Sequence, residues 1–292
     1  MTHPLLGWLG RHVPYSSRLL TKIDHLQIEL DKQKIENSAI REKLTDAMAW
    51  LEITSNWVDR SKVDFDADGL IVMGRPATFL QDSKFREAYC YGVDSGHRFS
   101  GDSPADLHIE WRVAVCLWAA WHAKNLPGDF VECGVNTGIY SRAICKYLNF
   151  NMVGKRFLLF DTYEGIPLEQ TESGREDDVN YLNTLYYSEV WELIQKNFSD
   201  YPSAQPIRGR VPDILSTIEI DQVAYLSIDM NITLPEVAAL EYFWPKLTTG
   251  GIVVFDDYGF HKDQRDALDE LTMKWDVKIW LLPTGQGLLL KP

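Results

Sequence analysis

From residue 129 to the C-terminus, short apolar runs alternate with stretches of helical periodicity. Strands that alternate with helices in this way form a parallel sheet covered by helices on both faces. Residues 277–291 contain two apolar runs around a Thr-Gly-Gln-Gly turn, which predicts a hairpin whose last strand is antiparallel to the rest. The sequence therefore predicts an α/β fold with a doubly wound, mostly parallel sheet and a C-terminal antiparallel hairpin. The predicted strands are 130–133, 157–160, 223–228 and 252–255, with a shorter one near 204–208, and the predicted helices are 139–149, 188–198, 235–247 and 263–275.

A heptad pattern occupies residues 19–51, where seam positions repeat at alternating spacings of four and three. The pattern predicts an N-terminal α-helical segment over residues 1–60. Two interpretations stay open: a parallel coiled coil that makes the protein a homodimer or a higher homo-oligomer, or one amphipathic helix packed on its own domain. The a positions are Ile23, Leu30, Asn37, Leu44 and Leu51.

Residues 61–103 are mixed in composition and have no strong period, so they are interpreted as a linker and surface loops. A helix start follows, with Ser103 as the cap and Pro104 at the first helical position. The main domain is accordingly assigned to residues 104–292. One face of its first helix, expected to pack in the core, carries Trp111, Val115 and Trp118.

The composition narrows the range of partners. The formal net charge is −13 and no basic run offsets it, which argues against duplex nucleic acid and anionic membranes as partners. No run of about 18 apolar residues occurs, so no membrane span is expected. The four cysteines lack metal-type spacing, which disfavours disulfides and structural zinc. Because no signal-peptide pattern is found, the expected location is the cytoplasm.

The stretch 128–138 is typical of a strand that ends in a glycine-containing turn before a helix. Glu132 lies at the carboxyl end of the strand, and the turn contains Gly134 and Gly138. Main-chain N–H groups of such a turn can approach a ligand closely, because glycine has no side chain. The next strand delivers Asp161, where a carboxylate can accept both hydroxyls of a ribose. A nucleoside cofactor is predicted, but not a dinucleotide, because the middle glycine of Gly-x-Gly-x-x-Gly is missing.

Two further strand ends are rich in acids. The strand 223–228 delivers Asp229, with Asn231 close behind, and the strand 252–255 delivers Asp256 and Asp257. Carboxylates at adjacent strand ends repel one another in a poorly solvated cleft unless a cation lies between them. Because all the ligands are oxygens, the pattern indicates a hard divalent ion such as Mg²⁺.

Several of these motifs resemble the macrocin O-methyltransferase (TylF-type) family. They are Glu-Cys-Gly-Val-x-x-Gly at 132–138, Phe-Asp-Thr-Tyr-Glu-Gly-Ile-Pro at 160–167, Gly-Gly-Ile-Val-Val-Phe-Asp-Asp-Tyr-Gly at 250–259, and Asp229 with the helix that follows it. The resemblance covers roughly residues 104–290 and excludes the heptads. It implies a class I, Rossmann-like methyltransferase that uses S-adenosyl-L-methionine (SAM) and Mg²⁺ to methylate sugar hydroxyls.

The resemblance also implies roles for individual residues. It assigns Asp161 to the ribose. The chemistry of methyl transfer to a hydroxyl separately requires a nearby base to take the acceptor proton, and the candidates are His261 and Asp229. The residues implied around the methionine part of SAM are Glu132, Gly134, Gly138 and Ser141. Those implied near the adenine are Gly209 and Arg210, and the implied metal ligands are Asp229, Asp256 and Asp257.

The sequence departs from the family at the end of the 223–228 strand. The family often has Asp-x-Asp-x-Tyr there, whereas this chain has Asp229, Asn231 and Thr233. Three functions therefore stay open. The first is methylation of a hydroxyl of a sugar, glycosylated natural product or polysaccharide; the second is methylation of a catechol-like small molecule; the third is a non-catalytic coiled-coil scaffold. The acidic, tyrosine-rich segment 168–187 is predicted to be a loop and is interpreted as a lid over the acceptor.

Overall fold

A computed structural model describes residues 60–97 and 107–292, together with the isolated positions 23, 45 and 48. Apart from those positions, the predicted heptads of 19–51 lie outside the described residues, and so does the predicted helix start at Ser103. The chain divides into two compact units, Met1–Thr78 and Phe79–Pro292. Among the described residues, no helix is both long enough and apolar enough to cross a membrane.

The described part of the first unit is a β-hairpin. Strands β1 (Val63–Ala67) and β2 (Leu70–Met73) pair antiparallel, and Ala67 lies opposite Leu70. The two residues between them, Asp68 and Gly69, both have positive φ, as the tightest hairpin turns require. The sequence analysis predicted a linker and loops over 61–103 and therefore missed this hairpin, because each strand is too short to show a clear period.

The second unit begins with two helices, α1 (Ser83–Val93) and α2 (Glu110–Ala123). The carboxylate of Asp82 caps α1 by accepting the Phe85 N–H at 2.9 Å. Helix α2 begins at Glu110; residues 107–109 are not helical, and His108 has a φ of 50°. The predicted core face is partly wrong, since Trp118 is 52% exposed.

The rest of the second unit alternates strands with helices, as predicted. A correction concerns the segment 168–187: it was predicted as a loop, but half of it is helix α4. The elements are β3 (Asp129–Cys133), α3 (Ile139–Leu148), β4 (Phe157–Asp161), α4 (Glu176–Leu185), α5 (Trp191–Asn197), β5 (Ala204–Arg208), β6 (Val223–Ile228), α6 (Thr233–Phe243), β7 (Leu247–Phe255), α7 (Lys262–Met273), β8 (Trp280–Leu281) and β9 (Gly287–Leu290).

The seven strands from β3 onward form one sheet in the order β5-β4-β3-β6-β7-β9-β8. Strands β3 to β7 are parallel, and β9 pairs antiparallel with both β7 and β8. The predicted doubly wound sheet with a closing antiparallel hairpin is confirmed. The chain moves outward from β3 to β5 and then returns to the other side of β3 as β6. The seam between β3 and β6 is therefore the switch point where ligands bind in such sheets.

Alternate residues of the central strands point into two apolar layers. One layer contains Phe130 and Tyr225 together with helices α1, α2 and α3. The other contains Val131 and Leu226 together with α6 and α7. All six residues of β6 are buried, and each large side chain buried in this way contributes about 1.5–3 kcal/mol by leaving water. This packing holds the carboxyl ends of the strands in fixed register.

Candidate active site at the switch point

The loops that follow the central strands are tied together by their main chains. Gly134 N–H donates to the Phe160 carbonyl at 2.9 Å, and Asp229 N–H donates to the Cys133 carbonyl at 2.8 Å. Asp256 N–H donates to the Ile228 carbonyl at 3.0 Å. The sheet ladder thus continues past the strand ends. As a result, the glycine turn, Asp229 and Asp256 lie side by side at one edge.

The glycine turn depends on residues without side chains. Gly134 has a φ of 84°, and a Cβ at this position would lie 1.7 Å from the Asp229 carbonyl oxygen. Gly138 has a φ of 85° and caps the N-terminus of α3, and a Cβ there would lie 2.8 Å from the Phe198 ring. Both glycines are therefore required by the close approach of neighbouring atoms, in addition to any contact with a cofactor.

Asp161 has a role that the sequence analysis missed. Its Oδ2 accepts the main-chain N–H groups of Val135 at 2.6 Å and Asn136 at 2.8 Å. Its Oδ1 accepts the N–H of Tyr163 at 2.6 Å. One carboxylate therefore fixes the glycine turn to the end of β4. Oδ1 also accepts the Thr162 hydroxyl at 3.3 Å, so four donors already occupy the carboxylate, and the predicted contact with a ribose would have to replace or share one of them.

Glu132 lies directly below the glycine turn and is 1% exposed. Burial raises the pKa of Glu132 to about 8, while a hydrogen bond from Ser141 acts in the opposite direction. Its Oε2 is buried and has no hydrogen-bond partner among the residues that the structure describes. An unpaired buried carboxylate oxygen is costly, so it marks a place where a cationic or hydrogen-bonding group could be accommodated.

The three predicted metal ligands come together. Asp229, Asp256 and Asp257 each offer a carboxylate oxygen, and these oxygens all lie within 4.8 Å of one another. Burial raises the pKa of Asp229, and the neighbouring charges of Asp256 and Asp257 raise it further. Three carboxylates at this separation are the kind of oxygen donors that a hard divalent ion prefers. The residues present therefore fit the predicted ion.

Asp256 is held by three side chains that the sequence analysis missed. Its Oδ1 accepts hydrogen bonds from the Tyr140 hydroxyl at 2.9 Å and from Gln286 Nε2 at 3.0 Å. Its Oδ2 accepts Arg112 Nη1 at 2.7 Å, and the same Nη1 lies 3.2 Å from Asp257 Oδ1. Two features of the sequence could have pointed to these partners: the single arginine in the mostly apolar helix α2, and the glutamine in the C-terminal turn.

The loop after Asp229 is supported from below by Glu236. Its Oε1 accepts the main-chain N–H groups of Met230 and Asn231, each at 3.0 Å. Asn231 has a φ of 62°, and its side-chain amide donates to Asp229 Oδ1 and to the Tyr187 hydroxyl, each at 3.3 Å. The amide therefore links the acidic cluster to the segment 168–187.

The same segment covers this loop at a second point. Glu172 Oε1 accepts the Thr233 N–H at 2.6 Å. The guanidinium of Arg175 lies 3.1 Å from Glu172 and 3.4 Å from the Asn231 carbonyl. The proposed lid is thus anchored on the metal side of the site.

Three other predicted site residues, His261, Gly209 and Arg210, lie outside the acidic cluster. His261 caps the start of α7, and burial lowers its pKa, as does the charge of Arg175. Gly209 N–H donates to the Asp161 carbonyl at 2.9 Å, which places it beside the acid that is predicted to bind a ribose. Arg210 is about half exposed and forms an ion pair with Glu169. The roles of these residues as base and adenine contacts stay predictions.

The comparison with known families agrees with this geometry. The family model described as macrocin-O-methyltransferase (TylF) matches residues 114–281, more than half of the chain. The chain belongs to the TylF family. The resemblance given by the sequence motifs is therefore confirmed. The matched residues include the glycine turn and the three acids Asp229, Asp256 and Asp257 of this TylF domain.

Curated relatives of the TylF domain include enzymes named for sugar-bearing natural products. Demethyldecarbamoylnovobiocin O-methyltransferase of Streptomyces niveus is 30% identical over 166 residues, which are 53% of this chain and 62% of that protein. Mycinamicin III 3''-O-methyltransferase of Micromonospora griseorubida is 27% identical over 147 residues, 46% of this chain and 56% of that protein. The match thus spans less than two thirds of either relative.

Among solved structures, the TylF domain is similar to the O-methyltransferase NovP. The superposition has a TM-score of 0.53 and 25% sequence identity, and it covers 62% of this chain and 79% of that one. The class I, Rossmann-like fold predicted for the main domain is therefore confirmed.

Proposed function

We propose that this protein is a SAM-dependent, Mg²⁺-assisted O-methyltransferase whose acceptor is a hydroxyl of a sugar, a glycosylated natural product or a polysaccharide. One observation carries the proposal: within the residues matched by the TylF family, the glycine turn and the acidic cluster meet at the switch point, with Gly134 against Asp229. A donor site and a metal site would then be neighbours, as transfer to a metal-bound hydroxyl requires.

SAM supplies the methyl group as an electrophile on a sulfonium centre. In this proposal, the methionine part lies over the glycine turn, near Glu132 and Ser141. The unpaired Oε2 of Glu132 supports this assignment, because it could accept a hydrogen bond from the cationic amino group. Asp161 is proposed for the ribose, and Gly209 and Arg210 for the adenine.

Asp229, Asp256 and Asp257 are the residues that would hold Mg²⁺. When bound next to the acceptor, such an ion lowers the pKa of the acceptor hydroxyl. The chain itself would supply the base, and Asp229 and His261 are the candidates. The side chain of Asn231 cannot take a proton in this role, so the acid that the family often has at this position is replaced by a neutral hydrogen-bond donor.

The segment 168–187 is proposed to cover the acceptor. Its anchors on the main chain at Asn231 and Thr233 support this proposal. Exchanging the segment for that of a relative should change which acceptor is methylated and leave the affinity for SAM unchanged. A loss of SAM binding would contradict the assignment.

The central experiment is calorimetric titration of the full chain with SAM, with and without Mg²⁺, followed by mass spectrometry of candidate acceptors. Glycosides and nucleotide-linked sugars test the first function, and catechols test the alternative. Asp256→Ala with Asp257→Ala should abolish methylation. If SAM does not bind, the scaffold alternative is favoured over an enzyme.

The N-terminal heptads suggest a homodimer or a higher homo-oligomer, and the expected location is the cytoplasm. Deleting residues 1–55 should halve the mass in solution, as measured by light scattering. An unchanged oligomeric state would rule out the coiled coil.

A further inference from the structure

Arg112 is a largely buried cation in the mostly apolar helix α2. Its side chain is 11% exposed, and the sequence around it in α2 is Glu-Trp-Arg-Val-Ala-Val-Cys. Its guanidinium carbon lies 4.8 Å from the centre of the Phe260 ring. A charge in such a place is stable only when it is paired. Its position is therefore set by the charges it meets.

Those charges belong to the acidic cluster. Arg112 Nη1 bonds Asp256 Oδ2 at 2.7 Å and Asp257 Oδ1 at 3.2 Å, so a single nitrogen bridges two of the three carboxylates. The side chains of these two acids are 8% and 16% exposed. At such low exposure, the pairing is weakly screened by solvent.

Within the described part of the chain, Arg112 is the cation recorded against both Asp256 and Asp257. A divalent cation in the cluster would bind oxygens of the same carboxylates. The guanidinium and the cation would therefore act on the same two negative charges.

We propose that Arg112 is the resident counter-ion of the acidic cluster: it holds Asp256 and Asp257 together when no metal is bound, and it competes with a divalent cation for their oxygens. The inference deepens the proposed function, because the competing ion is the proposed Mg²⁺. The first part of this inference, that Arg112 holds Asp256 and Asp257 together, does not depend on a bound metal. Arg112 is a positioning residue and is not assigned a contact with the substrate.

The first test is calorimetric titration of the full chain with MgCl₂, without SAM. Replacing Arg112 with Gln removes the competing charge, so Arg112→Gln should bind Mg²⁺ on the order of tenfold more tightly than the wild type. The matched control is Arg112→Lys, which keeps the charge and should stay within about threefold of the wild type. If Arg112→Gln binds Mg²⁺ with unchanged or weaker affinity, competition is refuted.

The second test needs no metal. In EDTA, the urea midpoint is measured for the wild type, Arg112→Gln, Asp257→Asn and the double variant. Removing the Asp257 charge should raise the midpoint of Arg112→Gln by more than that of the wild type, because only the former lacks the Arg112 charge beside Asp257. An equal or smaller rise would overturn the counter-ion role. The counter-ion role would also be overturned if Arg112→Gln and the double variant both failed to fold. Under that role, removing the Asp257 charge should relieve the repulsion that the loss of Arg112 creates, so the double variant should fold.

The two tests separate the proposals. If the wild type binds no Mg²⁺ but Arg112→Gln does, the counter-ion role is supported and the metal part of the proposed function is wrong. If neither binds Mg²⁺, the metal site is again wrong, and the urea series alone decides the role of Arg112.

Discussion

Asn231 donates a 3.3 Å hydrogen bond from its side-chain amide to Oδ1 of Asp229. At this position the family often has an acid, which would bring a fourth negative charge to the cluster. The amide instead satisfies one carboxylate oxygen and adds no charge. Compared with an acid at this position, the amide removes one negative charge and cannot take up a proton.

Replacing Asn231 with Asp should destabilise the metal-free protein by about 1–3 kcal/mol, because a donor is lost and a like charge is added near buried carboxylates. Both residue types tolerate the positive φ found here, so backbone strain does not confound the comparison. Urea unfolding in EDTA measures the effect, and Mg²⁺ should recover part of it. Asn231→Gly is the control for loss of the amide alone. Equal stability of Asn231→Asp and Asn231→Gly in EDTA would show that charge repulsion is unimportant.

Stability should fall as pH rises from about 5 to 8, because Glu132 and Glu236 both have a pKa raised to about 8 by burial. A carboxyl group whose pKa is higher in the folded state binds a proton on folding. Its stabilising effect is therefore complete below the unfolded pKa, near 4.5, and is lost as pH rises through the folded pKa. Urea unfolding at several pH values measures the slope. Glu132→Gln and Glu236→Gln should each flatten it, and an unchanged slope in both variants would contradict the burial of ionisable carboxyls.

Gly134→Ala should destabilise the protein by more than about 3 kcal/mol, because its Cβ would lie 1.7 Å from the Asp229 carbonyl oxygen. The matched control is Gly154→Ala. Gly154 has a φ of 73°, similar to 84° at Gly134, but nothing lies within 4 Å of its Cβ position. Only the left-handed backbone penalty of roughly 1–2 kcal/mol is expected there. Chemical denaturation measures the free energy of unfolding of both variants. Similar losses of stability would mean that the loops at Gly134 and Asp229 can move apart at little energetic cost.

Asp161→Asn should weaken the binding of S-adenosylhomocysteine by at least about tenfold, because it removes the charge that holds the main chain at Val135 and Asn136. Calorimetry with the 2′,3′-dideoxy analogue separates the two roles of Asp161. If the carboxylate also binds the ribose, the wild type prefers the natural ligand and the variant loses that preference. Equal weakening for both ligands would leave Asp161 only the role of holding the turn.

The sheet was predictable because most of its strands are separate apolar runs, with helices between β3 and β4, β4 and β5, β6 and β7, and β7 and β8. Strand β6 is apolar along almost its full length, which is typical of a central parallel strand. The hairpin of β1 and β2 was missed because its alternation is brief and partly exposed. Helix α4 was missed because only one of its residues, Val179, is buried, so its apolar period is weak.

The acidic cluster was predictable for a different reason. The carboxyl ends of adjacent parallel strands always share one edge, so Asp229 and Asp256 had to be close. The groups that bind Asp256 could not be found in this way, because Arg112 and Gln286 come from distant parts of the chain. Their approach depends on how α2 and the C-terminal hairpin pack against the sheet, which sequence spacing does not encode.

The main chains at Gly134 and Asp229 touch with no side chain between them. No side chain can therefore adjust between the two loops when one of them moves. A ligand that restricts the motion of the Gly134 turn must also restrict the motion of the loop at Asp229. We expect the donor and the cation to strengthen or weaken each other's affinity by the same factor, as reciprocity demands. Binding in one half of the cleft would thus be transmitted to the other half through the main-chain contacts that join the Gly134 turn to Asp229.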